Sequence, residues 1–103
     1  FVKYSMGFVF MPGGFGTLDE FAEVATLVQT GRIPRFPLIL VGKKFWSGLL
    51  AWMKAQMVDR RALINADDLD LFSIVETPEE AVEIILDYER RVGPPEAIPT
   101  AFR

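Results

Sequence analysis

Apolar segments alternate with helix-period patterns along this chain in the order β-α-β-α-β-α, which predicts an α/β fold built on a parallel sheet with right-handed crossovers. Two further observations support that class. The apolar runs are continuous rather than alternating, as expected of strands covered on both faces. A glycine-rich turn also joins the first strand to the first helix, the junction at which α/β proteins gather ligands.

Residues 6–11 (MGFVFM) form the first expected strand. The first helix is expected over residues 18–30, where Phe21, Val24, Ala25 and Val28 recur at helical spacing before Gly31. Leu38–Val41 (LILV), bounded by Pro37 and Gly42, is the second strand. Residues from about 45 to 60 read as the second helix, with Trp46, Leu49, Leu50, Met53 and Met57 on one stripe. Residues 71–75 (LFSIV) are the third strand. The third helix is expected over Pro78–Val92, with Thr77 as N-cap, Pro78 at its first position, Glu80 as capping-box partner and Gly93 as its stop. Three prolines mark residues 93–103 (GPPEAIPTAFR) as an irregular tail, so residues 1–92 carry the domain.

A chain of 103 residues holds one small domain or part of a larger one. Its 50% hydrophobic content marks it as core-forming rather than disordered. A domain this small buries a limited share of its surface, so some apolar area is expected to face another chain. Cysteine and histidine are both absent, which excludes disulfides, Cys/His zinc sites and a catalytic histidine within this stretch. The lack of cysteine fits a cytoplasmic protein. Eleven basic and 14 acidic residues are scattered, giving a net charge of −3. The pairs Lys43–Lys44, Arg60–Arg61 and Arg90–Arg91 are too short for a nucleic-acid footprint, so no nucleic-acid partner is expected. No run approaches the roughly 18 apolar residues of a membrane helix. Neither a membrane nor a signal-peptide role is therefore expected. The chain opens on Phe1 rather than Met, almost directly in a strand, which reads as a segment of a longer or processed protein.

Residues 12–20 (PGGFGTLDE) are the most informative stretch. A glycine turn between strand and helix leaves unpaired backbone N–H groups at the positive end of the helix dipole, an arrangement suited to an anion and most often a phosphate. Glycine also lets backbone approach a ligand closely. Two common phosphate fingerprints fail here. The P-loop requires a lysine after the last glycine, whereas Gly16-Thr17 runs into Leu18. The dinucleotide pattern starting at Gly14 and Gly16 meets Asp19 where a third glycine belongs. Other readings stand beside the anion site. The glycines suit a plain tight turn, Thr17-x-x-Glu20 matches a capping box, and Asp19 and Glu23 suit compensation of the helix dipole.

The whole string resembles the Pro-Gly-Gly-x-Gly-Thr-x-x-Glu (PGGxGTxxE) motif of the Lonely Guy family, and Pro12, Gly13, Gly14, Gly16, Thr17 and Glu20 fill every defined position. Residues 1–7 (FVKYSMG) resemble the strand approach of bacterial members, and the order of elements agrees through residue 92. Bacterial relatives often carry the label "lysine decarboxylase". The resemblance implies a three-layer modified Rossmann fold, of which this chain is the C-terminal half. It implies a phosphoribohydrolase of cytokinin biosynthesis, acting on a nucleoside 5′-monophosphate of the cytokinin-ribotide or AMP type. The products are the free base and ribose 5-phosphate. By the same resemblance Gly13, Gly14, Gly16 and Thr17 hold the 5′-phosphate, Glu20 is catalytic, and no metal or organic cofactor is needed. Members are dimers with the active site at or near the subunit interface, so a homodimer is expected. The family's catalytic arginine lies in an Arg-Lys-x-x-Met-type segment that would end just before Phe1, so this segment alone is expected to be inactive.

Three other roles compete. A non-catalytic nucleotide-binding or carrier module would use the same turn without turnover. A pyridoxal phosphate decarboxylase would need a Schiff-base lysine, and Lys3, Lys43, Lys44 and Lys54 carry no cofactor motif. An oligomerisation unit would use Trp46, Trp52, Met53 and Met57, whose default reading is ordinary core.

Overall fold

The computed structural model describes residues 2–4 and 7–92. The expected tail over 93–103 and the Gly93 stop lie outside them, as does Met6 of the first expected strand. The chain runs β1 (Val2–Tyr4), β2 (Gly7–Phe10), α1 (Phe15–Gln29), β3 (Leu38–Val41), α2 (Lys43–Met53), a π-helical turn (Lys54–Asp59), a 3₁₀ segment (Ala66–Leu71), β4 (Phe72–Val75) and α3 (Pro78–Val92). Strands β2, β3 and β4 are parallel and adjacent, with Phe8 opposite Leu38 and Leu38 opposite Phe72. Ahead of them β1 adds an antiparallel edge, Val2 against Val9, which lies before the first expected strand (residues 6–11) and was not expected as a separate element.

Alternation along the buried strands sends side chains to both faces. Phe8, Phe10, Leu38 and Leu40 face α1 and α2, where Phe21, Val24, Val28, Trp46 and Leu71 complete one core. Val9, Ile39, Val41 and Val75 face α3 and close on Ala81 and Ile85. Helices on both faces of the sheet make the three layers of a partial Rossmann-like fold, and they explain why these strands read as unbroken apolar runs.

Local chemistry sets several boundaries. At the start of α3 the Glu80 N–H donates to Thr77 Oγ1 (3.2 Å), the N-cap half of a capping box, while the Thr77 hydroxyl, rather than its backbone N–H, donates to Glu80 Oε1 (3.3 Å). The second helix begins at Lys43 rather than residue 45, and its α-helical part ends at Met53; the continuation toward residue 60 is a wider π turn. Asp68 anchors the 3₁₀ segment that follows. Its carboxylate accepts from Asn65 N–H (2.9 Å) and from Gln29 Nε2 (3.0 Å), tying that segment to the end of α1.

Candidate functional site at the carboxyl edge of the sheet

Parallel strands put their carboxyl ends, and the N-termini of the helices that follow, along one edge. There β2 hands over to Pro12 and Gly13, and α1 starts at Phe15 with Gly14 as N-cap. The Leu18 N–H donates to Gly14 O (3.2 Å), the first bond of the helix. The three amides before it, on Phe15, Gly16 and Thr17, find no acceptor among the described residues, and no side chain caps the helix. Unpaired donors aligned with the helix dipole are what an anion requires.

The glycines around these donors fall into two kinds. A methyl on Gly13 would collide with Thr17 Oγ1 and stand 2.9 Å from Thr17 Cβ, so the threonine hydroxyl already fills the space beside Gly13. A methyl on Gly14 or Gly16 would meet nothing within 4 Å. The turn is thus closed by Thr17 on one side and open over Gly14 and Gly16. Glu20 follows Gly16 by four residues and Thr17 by three, which places all three on one helix face. Helical side chains lean toward the N-terminus, so the half-buried Glu20 carboxylate is carried on the side of the open turn. Phe15 stands at the mouth, 91% exposed.

Two of the local alternatives for these residues do not hold. Because α1 begins at Phe15 and not at residue 18, Thr17 is its third residue and Glu20 lies beyond its first turn. A Thr17–Glu20 capping box therefore does not form. Nor do Asp19 and Glu23 compensate the first turn, which contains no acidic residue.

Two participants at this edge escaped the sequence reading. Gly42, with φ +102°, begins the turn after β3, and a methyl there would stand 3.2 Å from Pro12 Cγ. Glu76, just past β4, accepts the Lys43 N–H at 3.1 Å. The repeated strand–glycine–helix punctuation at Gly42 was the available signal for the first; nothing local marks the second.

An apolar cavity lies elsewhere. It measures about 410 Å³ between α1, α2 and the π and 3₁₀ segments, is lined by Leu18, Phe21, Ala25, Trp52, Met53 and Met57 among others, and includes none of the expected site residues. Trp52 is 54% exposed there, so the expectation that it belongs to the ordinary core is corrected, while Trp46 is fully buried. Among the described residues no group of His, Cys, Asp or Glu is placed to hold a metal ion. None of their helices is long and apolar enough to cross a membrane.

A parallel sheet covered on both faces, with an open helix N-terminus over a glycine turn, defines a Rossmann-like α/β protein. The family model described as "Possible lysine decarboxylase" matches residues 1–85. The chain belongs to this family, that of the Lonely Guy proteins. It is also 35% identical over 79 residues to the "Bifunctional cytokinin biosynthesis protein" of Fusarium pseudograminearum (strain CS3096). That alignment covers 77% of this chain and 16% of the relative's length. The decarboxylase in the family's description finds no support in the lysines described: Lys43, Lys44 and Lys54 are all exposed, whereas a Schiff-base lysine needs a pocket.

Proposed function

We propose that the protein containing this chain hydrolyses the N-glycosidic bond of a nucleoside 5′-monophosphate of the cytokinin-ribotide or AMP type, releasing the base and ribose 5-phosphate. The observation that carries this reading is the set of unpaired amides on Phe15, Gly16 and Thr17, over a turn with open space at Gly14 and Gly16. In this reading Gly13, Gly14, Gly16 and Thr17 hold the 5′-phosphate, which fixes the ribose above α1. The C1′–N bond breaks with its electron pair leaving on the base, and C1′ takes on oxocarbenium character. Glu20 stabilises that charge and orients the water whose oxygen bonds to C1′. One water proton ends on the base and the other stays on the new C1′ hydroxyl.

The name of the fungal relative and the family membership support the substrate class. The protein works as a cytoplasmic homodimer in this proposal, with the apolar face around Trp52 as the first surface to consider for self-association. Glu20→Gln in the full-length protein tests the chemistry. Calorimetry should show AMP binding within about threefold of wild type, while product formation by chromatography falls at least a hundredfold, the scale for loss of a transition-state electrostatic group. Retained turnover would remove Glu20 from the mechanism. Binding without turnover in the wild type would leave a nucleotide carrier instead.

A further inference from the structure

We infer that Glu76, which lies outside the glycine turn and its motif, is a positioning residue for the phosphate site. The inference rests on the reading that the amides of α1 hold a phosphate monoester. Three contacts make a continuous path. Glu76 Oε1 accepts the Lys43 N–H at 3.1 Å across 33 residues of chain. One residue earlier on each side, the Gly42 N–H donates to Val75 O at 2.7 Å, so the end of β4 clamps the start of α2 at two consecutive amides. Gly42 in turn lies against Pro12: its positive φ of +102° admits no ordinary side chain, and even a methyl would stand 3.2 Å from Pro12 Cγ. Pro12 is the first residue of the turn that ends in Gly14, the N-cap of α1.

The clamp acts on position because Pro12 has a fixed φ and passes displacement along the backbone. With the Glu76 bond made, the start of α2 forms a wall behind Pro12 and the amides of Phe15, Gly16 and Thr17 keep one direction. Without it, one of the two bonds by which the end of β4 holds that wall is lost, and the Gly42–Val75 bond remains. The same bond occupies the first amide of α2, so the two neighbouring helix N-termini are unlike: α2 already has a carboxylate partner, and among the described residues the first amides of α1 have none.

The experiment compares AMP with adenosine as calorimetric probes on the full-length protein. Glu76→Ala should weaken AMP about three- to tenfold, the range of one ordinary hydrogen bond, and leave adenosine within twofold. Glu76→Gln, whose amide oxygen still accepts, should restore AMP affinity to within twofold of wild type. Amide exchange at Lys43 should quicken in the alanine variant only. Unchanged AMP affinity in Glu76→Ala overturns the inference, as does an equal loss for both probes or a glutamine variant as weak as the alanine one. Gly16→Ala runs alongside to test the underlying reading. If it weakens AMP and Glu76→Ala does not, the positioning role alone fails; if it leaves AMP unchanged, the phosphate site fails and takes this inference with it.

Discussion

Gly16→Ala should raise stability and lower affinity together, a combination that only a ligand-facing glycine produces. Gly16 is the second residue of α1, and a methyl there meets nothing within 4 Å. Alanine in a helix is favoured over glycine by about 0.5–1 kcal/mol, largely through the unfolded chain. For a domain of this size each kcal/mol moves the melting temperature by about 4–8 °C, so a rise of about 2–8 °C is expected by scanning calorimetry. The same methyl stands in the open space through which a phosphate would reach the backbone amides. Loss of one hydrogen bond to a charged group costs about 1.5–3 kcal/mol, or about ten- to a hundredfold in the Kd for AMP by isothermal titration. Gly13→Ala is the control with the opposite sign. Its methyl would stand 2.9 Å from Thr17 Cβ, which rotation about χ1 does not move, so the turn itself must shift. Overpacking of that kind costs about 1–3 kcal/mol, and stability and affinity should fall together. A Gly16→Ala protein that melts higher and binds AMP as tightly as wild type would refute the reasoning.

Two further outcomes follow from the tryptophans. Trp46 is fully buried between Phe21 (ring centroids 5.2 Å) and Phe45 (5.0 Å), and its Nε1 has no hydrogen-bond partner among the described residues. Trp46→Phe removes that desolvated donor along with part of the ring and should cost no more than about 1.5 kcal/mol in urea unfolding, against about 3–5 for Trp46→Ala. Equal losses would mean that the indole N–H is in fact satisfied. Trp52, 54% exposed beside the apolar cavity, should shift its emission to shorter wavelength as the protein self-associates in sedimentation. An unchanged spectrum while the sedimentation coefficient rises would place the subunit contact elsewhere.

The parts of the fold legible in the sequence are those decided locally or by burial on both faces. Leu38–Val41 is a strand within its predicted bounds because an apolar run between Pro37 and Gly42 has little else to become. The bounds of α3 also agree, since Thr77, Pro78 and Glu80 write its start in side-chain chemistry. The start of α1 was misplaced by three residues for a physical reason. Glycine is poor in a helix interior, yet in the first turn the amides need no partner, and Gly16 is accommodated there. The π turn Lys54–Asp59 and the antiparallel β1 depend on packing and pairing with distant residues and left no periodic trace. At the site, Gly13, Gly14, Gly16, Thr17 and Glu20 lie together because they are neighbours on one turn and one helix. Gly42 and Glu76 join them only through the order of strands in the sheet.

That order also bears on why the anion reading fits α1 rather than any other helix. Parallel topology brings the N-termini of α1, α2 and α3 to the same edge, and each presents amides without intrahelical partners. At α3 the Glu80 amide is taken by the Thr77 hydroxyl at 3.2 Å. At α2 the Lys43 amide is taken by Glu76 at 3.1 Å. At α1 the N-cap is glycine, no side chain reaches the first turn, and the residues that crowd neither Gly14 nor Gly16 leave the amides facing open space. A side-chain cap is worth about 0.5–2 kcal/mol over alanine but only a few tenths over glycine, so serine or aspartate in place of Gly14 would add little stability while filling the open turn. At α3 a side-chain cap takes a first-turn amide and at α2, whose N-cap is also a glycine, the distant Glu76 takes one; α1 has neither among the described residues, at the one turn where the motif also removes side chains from the approach. A first turn whose amides lack a protein acceptor among the described residues, beside two that have one, is what an external anion acting as the cap would require.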